Sequence, residues 1–357
     1  MERQVSAEEH SGFVRALRDP TLSARVVRRV AMRYAAGGDA ALDRPAHVRA
    51  ASGIVRVGAK LAVIQDDASF VALVDPITGL AESIALPAGP DGRRLFDDSR
   101  GNKAEKLDHE ALTAIGSGTD ALLVALGSGS LARREVVALI SGVETPGVAA
   151  RVFAAPRFYA ALRAATLFAG SELNVEGAIY LDGRLRLFGR GNGAVARDVR
   201  PVNATCDVDW EALRSHLDDH ALAPPVPANV IQYELGSIGT TALSFTDATP
   251  GWAAGGTNAR PVYYTAAAEA SPDATRDGEV AGSAIGVIAE PDDGAPVARW
   301  IELHDTDGGR FALKVEGIAL ASQTPGRLLV VADDDTHDRP SELLEVELGG
   351  PWQGAEP

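Results

Sequence analysis

From residue 52 the chain reads as short apolar stretches broken by Gly, Asp and Asn. Ile54-Val55-Arg56-Val57, Leu61-Ala62-Val63-Ile64 and Phe70-Val71-Ala72-Leu73-Val74 are separated only by Gly58-Ala59-Lys60 and Gln65-Asp66-Asp67-Ala68-Ser69. Apolar runs of this length bounded by turn residues predict an antiparallel meander. Upstream, Ala24 to Tyr34 mixes Val and Arg in rough alternation, which predicts a strand with one wet face. The opening differs. Ser6 with Glu9 has the form of a capping box, and Phe13 and Leu17 follow at helical spacing. Residues 1–20 are therefore expected to be a helical segment, and 21–357 a single β-domain.

Strand-turn-strand units that recur at a long fixed period indicate solenoids or propellers, and this chain has such a period. Asp108-His109-Glu110-Ala111-Leu112, Asn174-Val175-Glu176-Gly177-Ala178-Ile179 and Lys314-Val315-Glu316-Gly317-Ile318-Ala319 align on an acid, a small residue and an apolar run. Each is followed by a second apolar strand: Ala121 to Leu126, Leu185 to Phe188, and Leu328 to Val331. Glu110 and Glu176 are 66 residues apart, and Glu176 and Glu316 are 140 apart, or two periods of 70. The intermediate copy reads Ser244-Phe245-Thr246-Asp247-Ala248, with Val262 to Thr265 as its second strand, and an earlier copy begins at Ser52-Gly53-Ile54-Val55. Copies thus start at 52, 110, 176, 247 and 316.

A unit of this length holds four short strands and their loops, as a propeller blade does. The last copy leaves 41 residues, room for three strands with Leu343 to Leu348 as the third, so the ring would close by borrowing the strand at 25–34. The expected fold is all-β, a five-bladed β-propeller closed by an N-terminal strand. Six blades are the alternative, with a degenerate blade in 140–175 or 200–235, and two open sandwiches are the competing architecture. Short helical insertions are expected near 155–167, where Phe158, Leu162 and Leu167 recur, and at 209–217, with Asp207 as the cap. Pro224-Pro225-Val226-Pro227 would return the chain to strand at Val230 to Tyr233.

In a propeller, equivalent positions of the innermost strands converge on one axis. Ser52, Glu110, Glu176, Asp247 and Glu316 would meet there, one hydroxyl and four carboxylates. Like charges at about 4 Å repel by roughly 4 kcal/mol at an effective dielectric near 20, so protons or a cation must sit between them. An all-oxygen, flexible ring suits calcium, and magnesium less well. The bland alternative is that each acid is a solvated turn residue.

The loops after the second strands share that rim. They include Asp66-Asp67, Gly127-Ser128-Gly129-Ser130, Arg190-Gly191-Asn192, Ala268-Glu269 and Asp333-Asp334-Asp335. Lys103 and Lys106 enter just ahead of Glu110. Lys103, Lys106, Arg190 and Asn192 are the candidate substrate-binding residues, suited to a small anion. His109, Asp67 and Glu269 are the candidate proton movers. A structural, hydrogen-bonded role is the other reading of His109, and ordinary surface pairing the other reading of the loop charges. The Asp333-Asp334-Asp335 run is either a second cation site or a solvated face. Gly127-Ser128-Gly129-Ser130 is followed by no Lys-Ser/Thr, so it is not a P-loop. The chain also has no Gly-x-Ser-x-Gly elbow.

Composition narrows the partners. With 34 Lys+Arg against 49 Asp+Glu the net charge is −15, a poor match to nucleic acid polymers or to an anionic membrane surface. The one cysteine, Cys206, cannot form an intrachain disulfide or a thiolate zinc site alone. No stretch approaches the roughly 20 apolar residues that span a bilayer, and the first ten residues lack the basic start and apolar run of a signal peptide. A cytoplasmic monomer or dimer is expected.

The motifs Gly101-Asn102-Lys103, Leu107 to Leu112, Leu126 to Ser130, Asn174 to Gly177, Arg190-Gly191-Asn192, Ser244 to Ala248, Ala268-Glu269 and Val331 to Asp335 together resemble a bacterial family of uncharacterised propeller proteins, from about residue 45 to 350. More distantly, the ring resembles the calcium-activated nucleotidases (soluble apyrases). That resemblance implies five blades and a channel calcium held by blade-start Ser and Glu residues. Ser52, Glu110, Glu176 and Glu316 match such positions, whereas Asp247 stands where a hydroxyl would be expected. Glu316-Gly317-Ile318-Ala319 with Asp333-Asp334-Asp335 also resembles the blade motif of esterase-like phytase proteins. Both resemblances imply phosphate esters. The functional expectation is a metal-dependent hydrolase of a small anionic substrate. A non-catalytic binding propeller braced by its cation is the alternative, and a lactonase or isomerase on the same metal is a third reading.

Overall fold

The structure is a computed structural model, which describes residues 12–352 apart from 144, 146, 197, 253–259, 277, 290–294, 322–324 and 335. Four strands come first: β1 (Gly12–Arg15), β2 (Leu17–Arg18), β3 (Ser23–Ala31) and β4 (Arg33–Tyr34). The expected N-terminal helix lies outside the described residues as far as 11, and over 12–18 the chain is strand instead. Phe13 and Leu17 are exposed there while Val14 and Ala16 are buried, an alternation of period two rather than a helical face.

Antiparallel units then follow one another. The first is β5 (Ala51–Val57), β6 (Lys60–Gln65), β7 (Phe70–Val74) and β8 (Leu80–Ala85), the second β9 (His109–Ile115), β10 (Leu122–Gly127), β11 (Val136–Ser141) and β12 (Ala149–Ala154). Helices α1 (Pro156–Ala164) and α2 (Thr166–Ala169) lead to β13 (Val175–Leu181), β14 (Arg184–Gly189) and β15 (Asn203–Asp209). Helix α3 (Trp210–Asp218) precedes β16 (Ala228–Glu234), which completes the third unit. After the short β17 (Ser237–Ile238) come β18 (Thr241–Pro250), β19 (Val262–Glu269), β20 (Val280–Ala289) and β21 (Val297–His304), then β22 (Lys314–Leu320), β23 (Arg327–Asp333) and β24 (Glu342–Gly349).

The fold is all-β with curled, propeller-like sheets. Strand β3 pairs antiparallel with β24 from Ser23↔Gly349 to Ala31↔Glu342, supplying the last unit with a fourth strand. The first strands β5, β9, β13, β18 and β22 pack each on the next, and β22 returns to β5. The main apolar clusters lie between consecutive units. Ala111, Val124 and Leu126 meet Leu185, Leu187 and Val208 in one, and Phe188 meets Phe245 edge to face at 5.4 Å in the next. Each fully buried Phe or Leu contributes roughly 1.5–3 kcal/mol, so the units hold one another by their faces.

The N-terminal strands run around the outside of this arrangement. Strand β1 pairs parallel with β16, β2 with β21 and β4 with β8. They cover edges that would otherwise offer unpaired backbone groups. Both helical insertions occur, but the cap of α3 is Asp209, whose Oδ1 accepts the N–H of Ala212 at 2.7 Å. Asp207, expected in that role, lies within β15 and pairs with Arg186 at 2.8 Å instead.

Candidate functional site

Every first strand is interrupted at the same level. The pairing of β5 with β6 skips residues 52 and 53, β9 skips 110, β13 skips 176, β18 skips 246, and β22 skips 316 and 317. A bulge leaves its extra residue out of the ladder and re-aims its side chain. The residues in phase are therefore Ser52, Glu110, Glu176, Thr246 and Glu316. In the fourth unit the hydroxyl of Thr246 holds this position, and Asp247 stands one place on, where the other units carry Gly53, Ala111, Gly177 and Gly317. Asp247 is fully buried and does not line the cavity described next.

Ser52, Glu110, Glu176 and Glu316 open into one cavity of about 180 Å³, whose wall also includes Asp66, Asp67, Lys106, Arg190 and Lys314. Its walls are densely ion-paired. Lys106 Nζ lies 2.8 Å from Asp66 and 2.6 Å from Asp108, and Arg134 lies 2.8 Å from Asp108. Arg190 pairs with Glu176 at 3.3 Å and more closely with Glu269, and Lys314 lies 2.6 Å from Glu316 and 3.6 Å from Glu269. In the same wall, Arg49 binds Asp67 through Nε at 2.8 Å and reaches Asp97 at 3.2 Å.

Glu110 differs from the other two glutamates. The Ser52 hydroxyl donates to it, but among the described residues no Lys or Arg forms an ion pair with it. Burial, reinforced by Glu176, Asp108 and Asp66, pushes its carboxyl well above the usual range. Burial also raises Glu316 to about 8 despite Lys314, with Glu176 adding to the rise, and its Oε2 is buried without a partner. Burial and Asp66 bring Asp67 to about 7 against the pull of Arg49, and its Oδ1 is likewise unpartnered. Glu269, where Lys314 and Arg190 outweigh burial, falls to about 2.

The expected site residues divide accordingly. Lys103, Lys106, Arg190, Asn192 and Asp67 line the cavity with Ser52, Glu110, Glu176 and Glu316. Glu269 lies behind the wall, holding Arg190 and Lys314 and accepting the Gly278 N–H at 2.6 Å. His109 is buried off the cavity, where desolvation lowers it to about 4. Of the acidic run, Asp333 lines the cavity, Asp334 pairs with Arg339 at 3.1 Å, and Asp335 lies outside the described residues.

Asp66, Asp108 and Glu110 form a group that could hold a metal ion, each offering an oxygen within 4.8 Å of the others. Sequence reasoning overlooked Asp108 and Lys314 as site residues. Each stands two places before a bulge glutamate, as does Asn174, whose Nδ2 donates to Glu176 at 2.6 Å. Alternate residues of a strand share a face, so polar residues at this offset in several copies were the available signal.

Comparison with curated proteins gives no match. Among solved structures, the chain is similar to the glutaminyl cyclase of Myxococcus xanthus at 11% identity and a TM-score of 0.46, over 95% of this chain and 99% of that one. It is similar to a protein of Bacteroides fragilis NCTC 9343 at 10% identity and a TM-score of 0.36, over 94% and 99%. At these scores neither likeness bears on function. A family model spans the units from the first strand of the first to the last strand of the last, matching residues 47–348, and the chain belongs to that family, a family of unknown function (DUF6929).

Proposed function

We propose that the cavity is the active site of a hydrolase that acts on a small anionic substrate, phosphate esters included, with a divalent cation, calcium first, held at Asp66, Asp108 and Glu110. We read the ring as a five-bladed propeller closed by β3. The cycle of first strands and the apolar clusters between successive units support that reading.

One observation carries the functional reading. The bulge glutamates and the ion pairs around them bring together Asp66, Asp108, Glu110, Glu176, Glu269 and Glu316 against Lys106, Arg134, Arg190 and Lys314. That is an excess of two carboxylates, centred on Glu110. Protons or one divalent cation remove it. Oxygen donors of this kind suit calcium or magnesium. The cation would polarise the substrate or lower the pKa of a water. Calcium activates water weakly, so a calcium held by Asp66, Asp108 and Glu110 would chiefly orient the substrate. Asp67 and Glu316, each with an unpartnered oxygen, are placed to move protons, while Lys103, Lys106, Arg190 and Asn192 face the anion.

Calorimetric titration with calcium and magnesium, in the native chain and in Glu110→Gln, tests the cation. Phosphate release from nucleotides and sugar phosphates tests the chemistry. Absence of binding at millimolar ion removes the cation, and binding without release of phosphate removes the phosphatase. A second reading, a bracing cation in a non-catalytic binding domain, is favoured by one fact: Lys106, Arg190 and Lys314 are all already paired with carboxylates. It predicts that calcium raises Tm while no substrate turns over.

A further inference from the structure

We propose that Asp247 is the positioning residue of the cavity: its buried carboxyl ties the first strands together just behind the bulges and so sets where Ser52, Glu176 and Glu316 stand. The side chain leaves β18 and reaches other strands of the ring. Its Oδ2 accepts the N–H of Ile318 in β22 at 3.0 Å; the backbone N–H groups of Ala248 and of Ile54 in β5 face the same carboxyl and favour its charged form, while its Oδ1 is buried without a hydrogen-bond partner. Ile318 lies two residues beyond Glu316, and Ile54 two beyond Ser52, so the tie falls immediately behind both bulges.

On the opposite side stands β13. A Cβ at Gly177, the residue after Glu176, would lie 3.1 Å from both Asp247 Cα and Oδ1. The carboxyl therefore fits only against a strand that is bare at that point. Gly53 and Gly317 are equally constrained, since added Cβ atoms would meet Glu110 O at 2.6 Å and Ser52 O at 2.3 Å. The positions after the bulge are where strand backbones touch, and in one unit that position carries an acceptor long enough to bind its neighbours. Thr265 of β19 adds a weaker tie at this level, its hydroxyl lying 3.4 Å from the carbonyls of both Asp247 and Glu316. Strands so close, with no ladder between them, have N–H groups that need an acceptor, and a buried N–H without one is costly.

The test is site-resolved hydrogen exchange with Asp247→Ala and Asp247→Asn, alongside calcium titration. In Asp247→Ala the amides of Ile54 and Ile318 are expected to lose about tenfold in protection, while those of β7, β11 and β20 stay within twofold. A general loss of stability would move all of them together. Asp247→Asn keeps a carbonyl acceptor, so it is expected to restore protection to within threefold of the native chain. Unchanged protection of both amides in Asp247→Ala overturns the proposal. So does an Asn variant that unfolds or exchanges as fast as the Ala variant. If Asp247→Ala does not fold, a folded and protected Asn variant supports the tie. The exchange measurement needs no ligand, so absence of calcium binding in the native chain counts against the proposed function and not against this inference.

Discussion

Arg190 offers the sharpest test of the cavity as an electrostatic unit. It is 4% exposed and serves both Glu176 and Glu269. Arg190→Met keeps most of the side-chain length and removes the charge, leaving Lys314 as the remaining cation for Glu269, at 3.6 Å. Breaking a buried pair on one side costs about 3–5 kcal/mol. Unfolding entropy of about 2.1 cal/mol/K per residue over 357 residues converts that to a fall in Tm of about 4–7 °C. The effect has a pH signature. Burial alone would raise Glu269, but Lys314 and Arg190 bring it from 4.5 to about 2, a shift worth about 3 kcal/mol. A depressed carboxyl stabilises the fold above its unfolded value, and the stabilisation disappears as pH falls from about 4.5 through 2. The penalty of Arg190→Met should therefore be full at pH 7 and shrink on the acid side, as its orphaned carboxylates take up protons. Calorimetric scans at pH 7 and below about 4.5, with Arg190→Met/Glu269→Gln as the second arm, check this. The double variant should regain at least half of the lost Tm, because it buries one charge fewer. A fall of less than 1 °C at pH 7, or a double variant worse than the sum of the single changes, would refute the reasoning.

Further outcomes follow from the same geometry. Deleting residues 1–22 removes β1 and β2 but spares β3, and should speed unfolding in guanidinium severalfold while the chain still folds. Deletion through Ala31 takes away the fourth strand of the last unit and should leave no cooperative transition. His109, lowered by burial from 6.5 to about 4, is neutral in the fold and protonates more readily when unfolded, so stability should decline by up to about 3 kcal/mol as pH drops across that interval. Urea midpoints of His109→Gln should show a flatter profile there. Ser52→Lys puts an ammonium beside the glutamate that lacks one, and should abolish calcium binding by calorimetry without lowering Tm; retained binding would move the ion site elsewhere.

The periodic features of the fold were legible in the sequence. Apolar runs of four to six residues with turn residues between them mark strands wherever they occur, and the acid-small-apolar signature set the phase of the units at Glu110, Glu176 and Glu316. The fourth unit was misphased by one residue because Asp247 looks like the repeated acid. Only the register, with Phe245 opposite Ala266 and Asp247 opposite Thr265, shows Thr246 as the bulge. An off-phase acid is invisible to pattern matching when its role is to bind backbone. The N-terminal strands were misread for a related reason. They are stabilised by edges far away in sequence, Glu234 and Arg299 among their partners, so local spacing says little about them. Lys106 and Arg190 were recognisable as polar loop residues, but not that carboxylates already hold them. Pairing depends on which side chains the ring brings within 4 Å.

That pairing gives the ring its asymmetry. Repeated glutamates at one level would repel equally if each were alone, and no one position would be preferred by a ligand. Here Glu316 has Lys314 from its own strand, and Glu176 has Arg190 from the end of the next. Lys106, whose charge acts on Glu110, is held by Asp108 and Asp66, and Arg134 is held by Asp108. At the start of the second unit Asp108 and Glu110, with Asp66 from the first, thus set three carboxylates against two cations, and the Ser52 hydroxyl is what donates to the bulge glutamate. Uncompensated negative charge in a partly water-excluded wall is costly, and it collects at one point of the rim instead of spreading around it. The repeat is thus electrostatically distinct at one point, beside Glu110, where Asp66, Asp108 and Glu110 could hold a metal ion.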